Sequence, residues 1–120
     1  MMLVAGYASL RIAYAVGLLT APGRVARPWL GESAGRAASS VALRGLGARD
    51  LVLSAGALAA AASRGSARPW LAACAVSDAV DLTATLIADP DQLPPNAKLG
   101  TVAAAGVFGV AAAALAVREG

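Results

Sequence analysis

The sequence predicts an all-α fold, an integral membrane four-helix bundle with short loops, and two observations carry that prediction. Hydrophobic residues make up 58% of the 120 residues and charged residues only 14%, whereas a typical soluble domain carries about 25% charged residues. Four apolar stretches, each near the roughly 20 residues that a spanning helix needs, are separated by segments rich in glycine, proline and serine. We therefore expect a single multi-pass domain over residues 1–120, located in the cell inner membrane.

The first predicted span covers about residues 3–20. Pro22 follows it and is expected to stop the helix. The next segment, 23–40, combines Trp29 with several arginines, a composition typical of the bilayer interface, where the indole ring lies at headgroup level. We predict that this segment is a loop.

The second predicted span covers about residues 41–62, with Ser39 or Ser40 as its N-cap. It carries Arg49 and Asp50 near its centre. On insertion scales each such charge costs about 2.5–3.5 kcal/mol, and each leucine or valine returns only about 0.3–0.6 kcal/mol. This helix is therefore expected to be marginal alone and to depend on its neighbours.

The last two predicted spans cover about residues 69–88 and 97–117. Pro69 suits the first turn of the third span, and Pro90 ends it. Four polar side chains of this span repeat at spacings of four, three and four, which places them on one helix face: Cys74, Asp78, Asp81 and Thr85. The fourth span has no interior charge and is rich in alanine and glycine, as expected of a helix that packs closely.

Charged residues of both signs fall near the centres of the first three spans. Arg11 lies in the first span, on one face with Tyr7 and Tyr14. Charges of this kind are too costly to expose to lipid, so we expect them to converge inside the bundle with Arg49 and the aspartates. Two arginines against three aspartates leave one surplus negative charge. We therefore expect one carboxyl group to hold a proton or a cation.

The residue types exclude several kinds of site. The chain has no histidine and one cysteine, which removes histidine-based acid–base catalysis, a CxxC redox pair and the usual zinc sites. We expect no metal and no cofactor. The net charge of +3 is spread between the apolar stretches, so we expect no nucleic acid partner. The candidate catalytic residues are Asp78 and Asp81, and the candidate ligand-binding residues are Arg11, Arg49, Asp50, Tyr7 and Tyr14.

Three functions fit these observations. The favoured one is a non-catalytic membrane protein, either an accessory subunit of a larger complex or a binding protein for an apolar or amphipathic small molecule. The first alternative is a small membrane-embedded enzyme of the cyclase or isomerase type that uses Asp78 or Asp81 for proton transfer. The second is an ion-coupled small-molecule transporter that works as a homo-oligomer. The charged residues could also serve only to set helix register.

Two segments, Leu46–Leu51 (LGARDL) and Ala73–Leu82 (ACAVSDAVDL), resemble a family of small uncharacterised bacterial membrane proteins that is catalogued as a domain of unknown function. The resemblance covers roughly residues 41–117. It implies a four-helix arrangement with an Arg–Asp pairing between the second and third helices, and it implies no activity. Size and helix count are also similar to those of the small multidrug-resistance exporters. Those depend on a glutamate in the first helix, where this chain has Arg11.

Overall fold

The computed structural model describes residues 2–119, and every regular element within that range is helical, which confirms the all-α prediction. Four long helices are joined by short connections, and one shorter α-helix lies between the first two of them. The elements in chain order are α1 (Met2–Thr20), α2 (Pro22–Leu30), a 3-10 turn (Gly31–Gly35), α3 (Ala37–Ala62), α4 (Arg68–Ile87), a second 3-10 turn (Pro90–Gln92) and α5 (Ala97–Glu119).

The segment that was predicted to be a loop is mostly helical, so that prediction is wrong. Pro22 does not end the helical region but occupies the first turn of α2, where its missing N–H costs nothing and its fixed φ suits a helix. The helical conformation is interrupted for one residue, at Ala21 (φ −141°, ψ 61°). Helix α2 contacts α1, α3 and α5. It therefore lies across the end of the bundle at which α1 ends and α3 and α5 begin.

Helix α3 begins earlier than predicted, at Ala37 instead of Val41. Its N-cap is Arg36, in an extended conformation and with no side-chain cap, so the predicted serine cap at Ser39 or Ser40 is wrong. Both serines lie inside the first turn of α3, because the helix begins only two residues after the end of the 3-10 turn at Gly35.

The long helices pack as two extensive pairs, α1 with α3 and α4 with α5, and contact between α3 and α4 joins the pairs. Within residues 2–119 no Cα atom of α1 comes within 8 Å of one in α4, so these two helices are diagonal across the bundle. Glycine allows the close approach inside the first pair. A Cβ atom on Gly47 would lie only 2.9 Å from the carbonyl oxygen of Ala15 and 3.0 Å from Leu18 Cβ.

Two apolar clusters lie at opposite ends of the bundle, and charged side chains separate them. One cluster includes Leu71 and Cys74, and the other includes Leu18 and Leu43. Arg11 on α1 and Asp50 on α3 lie between members of the two clusters along their own helices, and Asp78 on α4 pairs with Arg11. The polar groups therefore form a layer in the middle of the molecule.

Large apolar side chains face outward on all four long helices. All four helices are long and apolar enough to cross a membrane. The exposed side chains include Leu10, Val52, Ile87 and Val110, one on each of the four helices. The distribution is inverted relative to a soluble bundle, in which buried charges are rare.

Candidate functional site

Arg11 is the centre of the buried charged layer. Its guanidinium donates two parallel hydrogen bonds to the Asp78 carboxylate, from Nη1 to Oδ2 at 2.6 Å and from Nη2 to Oδ1 at 2.8 Å. Nη1 also donates to the Tyr7 hydroxyl at 2.9 Å, and Nη2 to Asp50 Oδ1 at 3.0 Å. Because α1 and α4 are diagonal, this side chain bridges two helices whose backbones do not touch.

Two aromatic rings lie close to the buried guanidinium. The Arg11 guanidinium carbon lies 5.6 Å from the centre of the Phe108 ring and 5.9 Å from that of Tyr7, within the range of a cation–π interaction. The Tyr7 hydroxyl in turn donates to the Phe108 carbonyl oxygen at 3.3 Å. Helix α5, which has no charged residue near its centre, therefore takes part through backbone and ring contacts.

Arg49 and Asp81 form the second half of the charged layer and link α3 to α4. Arg49 Nη1 and Nη2 donate to the two carboxylate oxygens of Asp81 at 3.1 and 2.7 Å. Both side chains are about one-third exposed, whereas those of Arg11 and Asp78 are almost fully enclosed. The network therefore has a buried half and a more accessible half.

Asp50 connects the two halves through a single oxygen. Its Oδ1 accepts from Arg11 Nη2 at 3.0 Å and from Arg49 Nη2 at 3.2 Å. A longer contact of 3.4 Å comes from Arg49 Nε. Two cations and three anions thus form one continuous ion network, which we define as Arg11, Arg49, Asp50, Asp78 and Asp81.

A cavity of about 370 Å³ lies against one side of the ion network. Four members of the network line it: Arg11, Asp50, Asp78 and Asp81. The rest of the lining is mostly apolar and comes from α2, the starts of α3 and α5 and the end of α4, so the cavity extends toward the α2 end of the bundle. Its volume is near the lower end for small-molecule pockets.

Aromatic side chains are concentrated at this cavity. The chain has only five aromatic residues, and three of them line the cavity: Tyr14, Trp29 and Phe108. The rings of Tyr14 and Trp29 are stacked, with centroids 6.2 Å apart and planes at 28°. Helix α2 thus supplies an aromatic wall to the cavity.

The structure brings all seven predicted site residues into one region but gives the two tyrosines different surroundings. Tyr7 is buried and hydrogen-bonded to Arg11, whereas Tyr14 lies toward the α2 end and contributes to the cavity wall. Of the two tyrosines on the same face as Arg11, only Tyr7 is hydrogen-bonded to it. The terminal nitrogens of Arg11 already donate to groups of the protein itself.

Sequence reasoning did not identify the apolar half of the site. Trp29, Leu30, Leu43 and Phe108 all line the cavity, but Trp29 was expected at a bilayer interface because arginines lie near it in the sequence. The available signal was Pro22 at a helical first turn, followed by an apolar face at helical spacing. The α5 contribution had no sequence signal, because a single phenylalanine in an apolar helix is unremarkable.

The cavity therefore has charged side chains on one side and mostly apolar side chains over the rest of its lining. Within residues 2–119 there is no group of three histidine, cysteine or acidic side chains placed to hold a metal ion. No known protein family, no curated protein and no solved structure matches this chain. The family resemblance of the two short segments therefore stays a prediction, and the function is inferred from the site itself.

Proposed function

We propose that this chain is a multi-pass protein of the bacterial inner membrane that binds an amphipathic small molecule without transforming it. The observation that supports the proposal is the cavity of about 370 Å³, whose lining is charged on one side and apolar, partly aromatic, elsewhere. Such a chamber matches a molecule with one polar end and an apolar body, because each end then meets groups of its own kind.

The membrane location is supported by where polar and apolar side chains lie. Arg11, Asp50 and Asp78 are buried, while large apolar side chains face outward on four helices of spanning length. In lipid this distribution is favourable, since charged groups face the bundle interior and pair with one another. We expect the protein to stay in the membrane fraction through alkaline carbonate and high-salt washes. Release into solution without detergent would contradict the proposal.

The non-catalytic part of the proposal is supported by the pairing of the candidate acids. Both oxygens of Asp78 and both oxygens of Asp81 accept hydrogen bonds from an arginine. Each carboxyl group would have to leave its arginine before either oxygen could exchange a proton with a substrate. A cyclase or isomerase reaction requires a carboxyl group that is free to reach its substrate in this way.

A membrane-embedded enzyme is the second candidate, and one observation favours it. Asp81 lines the cavity and its side chain is 30% exposed, so a substrate in the cavity would lie beside a carboxyl group. Catalysis would require Asp81 to leave Arg49 and take up a proton. An ion-coupled transporter that works as an oligomer is a further alternative. It is tested by proton uptake into vesicles that contain the purified protein.

The binding proposal is tested by identifying molecules that copurify with the protein. The protein is purified in a mild detergent, extracted with organic solvent and analysed by mass spectrometry. Thr101 lines the cavity on α5, and its neighbour Val102 is exposed and does not line it. We expect a near-stoichiometric amphipathic molecule in the natural protein and in Val102→Phe, and its loss in Thr101→Phe, because the new ring fills the cavity.

The outcomes separate the three functions. Equal amounts of the molecule in both phenylalanine variants would mean that it does not occupy the cavity and would overturn the proposal. Conversion of the bound molecule to a product, lost in Asp81→Asn, would establish the enzyme instead. Proton uptake that depends on an added substrate would establish the transporter.

A further inference from the structure

The ion network has one more negative than positive charge, and the hydrogen bonds show which carboxylate oxygen lacks a donor. Two guanidinium groups face three carboxylates, so the network has a formal charge of −1. Both oxygens of Asp78 and both of Asp81 accept charge-assisted hydrogen bonds. Asp50 receives its three hydrogen bonds on Oδ1 alone. None of the hydrogen bonds formed within residues 2–119 ends on Asp50 Oδ2.

This free oxygen belongs to a side chain that is 93% enclosed and that lines the cavity. Among the described residues, two side-chain polar atoms are fully enclosed and have no partner: Arg11 Nε and Ser54 Oγ. Asp50 Oδ2 also has no partner, but it is not fully enclosed and so retains accessible surface. A buried carboxylate oxygen without a donor costs free energy, and a cationic donor in the cavity would remove that cost.

An anionic ligand would find no free cationic donor among the side chains that line the cavity. The terminal nitrogens of Arg11 are all engaged by Asp78, Asp50 and Tyr7, and its Nε is sealed from the cavity. Arg49 is not part of the cavity lining. A second anion beside a network that already has a negative surplus would also be repelled.

The aromatic wall points to the same ligand charge. Tyr14 and Trp29 present a stacked pair of rings to the cavity. Aromatic faces attract ammonium and guanidinium groups through their quadrupoles, and indole is the strongest of them. These two rings lie in the same small cavity as a free carboxylate oxygen. Together they form a combination suited to an organic cation.

We infer that the cavity selects amphipathic cations, namely molecules with one ammonium or guanidinium head, which binds at Asp50 Oδ2, and an apolar body small enough for a cavity of about 370 Å³. This inference rests on the proposed binding function and names the ligand class for it. The head neutralises the surplus charge of the ion network, and the body lies against Leu30, Leu43 and the Tyr14–Trp29 pair.

The test compares three probes of equal chain length and different charge: octylamine, octanol and octanoate at neutral pH. The protein carries Trp70→Phe, which leaves Trp29 at the cavity as its single tryptophan, and is placed in phosphatidylcholine nanodiscs. Fluorescence of Trp29 reports cavity binding. A matched protein with Trp29→Phe retains only Trp70, which lies away from the cavity, and corrects for partition of each probe into the lipid.

We expect octylamine to bind at least tenfold more tightly than octanol and octanoate to bind most weakly. Asp50→Asn should reduce octylamine affinity at least tenfold and leave octanol affinity within twofold. Octanol binding retained by Asp50→Asn also shows that this variant folds. If the variant does not fold, the ratio of octylamine affinity to octanol affinity in the protein that keeps Asp50 tests the inference.

Two failures are distinguishable. If octanol or octanoate binds as tightly as octylamine, the ligand class is wrong while the binding function stands. If none of the three probes changes Trp29 emission beyond the change seen for Trp70, the proposed binding function itself fails.

Discussion

Replacement of Asp78 by asparagine tests whether the ion network holds the bundle together. Asp78 is almost fully enclosed and receives both terminal nitrogens of Arg11 at 2.6 and 2.8 Å. Removal of one partner from a buried ion pair costs about 3–5 kcal/mol when the other charge is left without a partner. Arg11 keeps its contact with Asp50, so we expect about 3 kcal/mol, at the lower end of that range.

Asp81→Asn is the matched control, since it makes the same chemical change one turn away on α4. Asp81 and Arg49 are each about one-third exposed, and Arg49 also contacts Asp50, so we expect a smaller loss than for Asp78→Asn. The free energy of unfolding of each variant is measured by reversible titration from mild detergent into dodecyl sulfate, followed by helical circular dichroism. Equal losses, or a larger loss for Asp81→Asn, would refute the view that Arg11 and Asp78 carry the diagonal contact.

A double-mutant cycle makes the same argument pairwise. Arg11→Gln in the natural protein removes the cation that compensates Asp78, whereas in the Asp78→Asn background only the Asp50 carboxylate remains opposite Arg11. We therefore expect the cost of Arg11→Gln to fall by about 1–3 kcal/mol in that background, the coupling typical of contacting residues. Additive costs would mean that the two side chains act independently.

Three further predictions concern packing. Gly47→Ala should destabilise the protein by about 1–3 kcal/mol, because its Cβ would press on the α1 backbone at Ala15, while Gly45→Ala, with open space at its Cβ, should be neutral or slightly stabilising in the same detergent titration. Leu71→Ala should cost about 2–5 kcal/mol, because this side chain is fully enclosed and would leave a void; a cost below about 0.5 kcal/mol, as expected of a surface change, would contradict the assigned core. The Cys74 thiol is fully enclosed, so maleimide should label it only after unfolding, and rapid labelling of the folded protein would place α4 differently.

The sequence was sufficient for the helical class and for the position of most helix ends. Spanning length and continuous apolar runs set these features locally, so α1, α4 and α5 begin and end close to the predicted residues. The exception was the segment from Pro22 to Arg36. Its arginines, glycines and prolines resemble a loop by composition, and its helix is stabilised by contacts with three other helices.

Residues on one face of each span could also be read from the sequence, because helical periodicity places Asp78 and Asp81 together on α4 and Tyr7 and Arg11 together on α1. The high cost of charge in lipid then requires these faces to turn inward. The pairing partners could not be read in this way. Any of the three aspartates could compensate either arginine on grounds of charge and depth alone.

By itself, then, the sequence determined that four apolar helices place charges of both signs at a common depth. Only the tertiary structure decided that α1 and α4 lie diagonally, so that Arg11 reaches across the bundle to Asp78 while Arg49 pairs with Asp81. It also decided that α2 folds over one end and leaves a cavity beside Asp50. The physical reason is that periodicity and hydropathy are properties of one helix, whereas partner choice and enclosed volume depend on how several helices are arranged around each other.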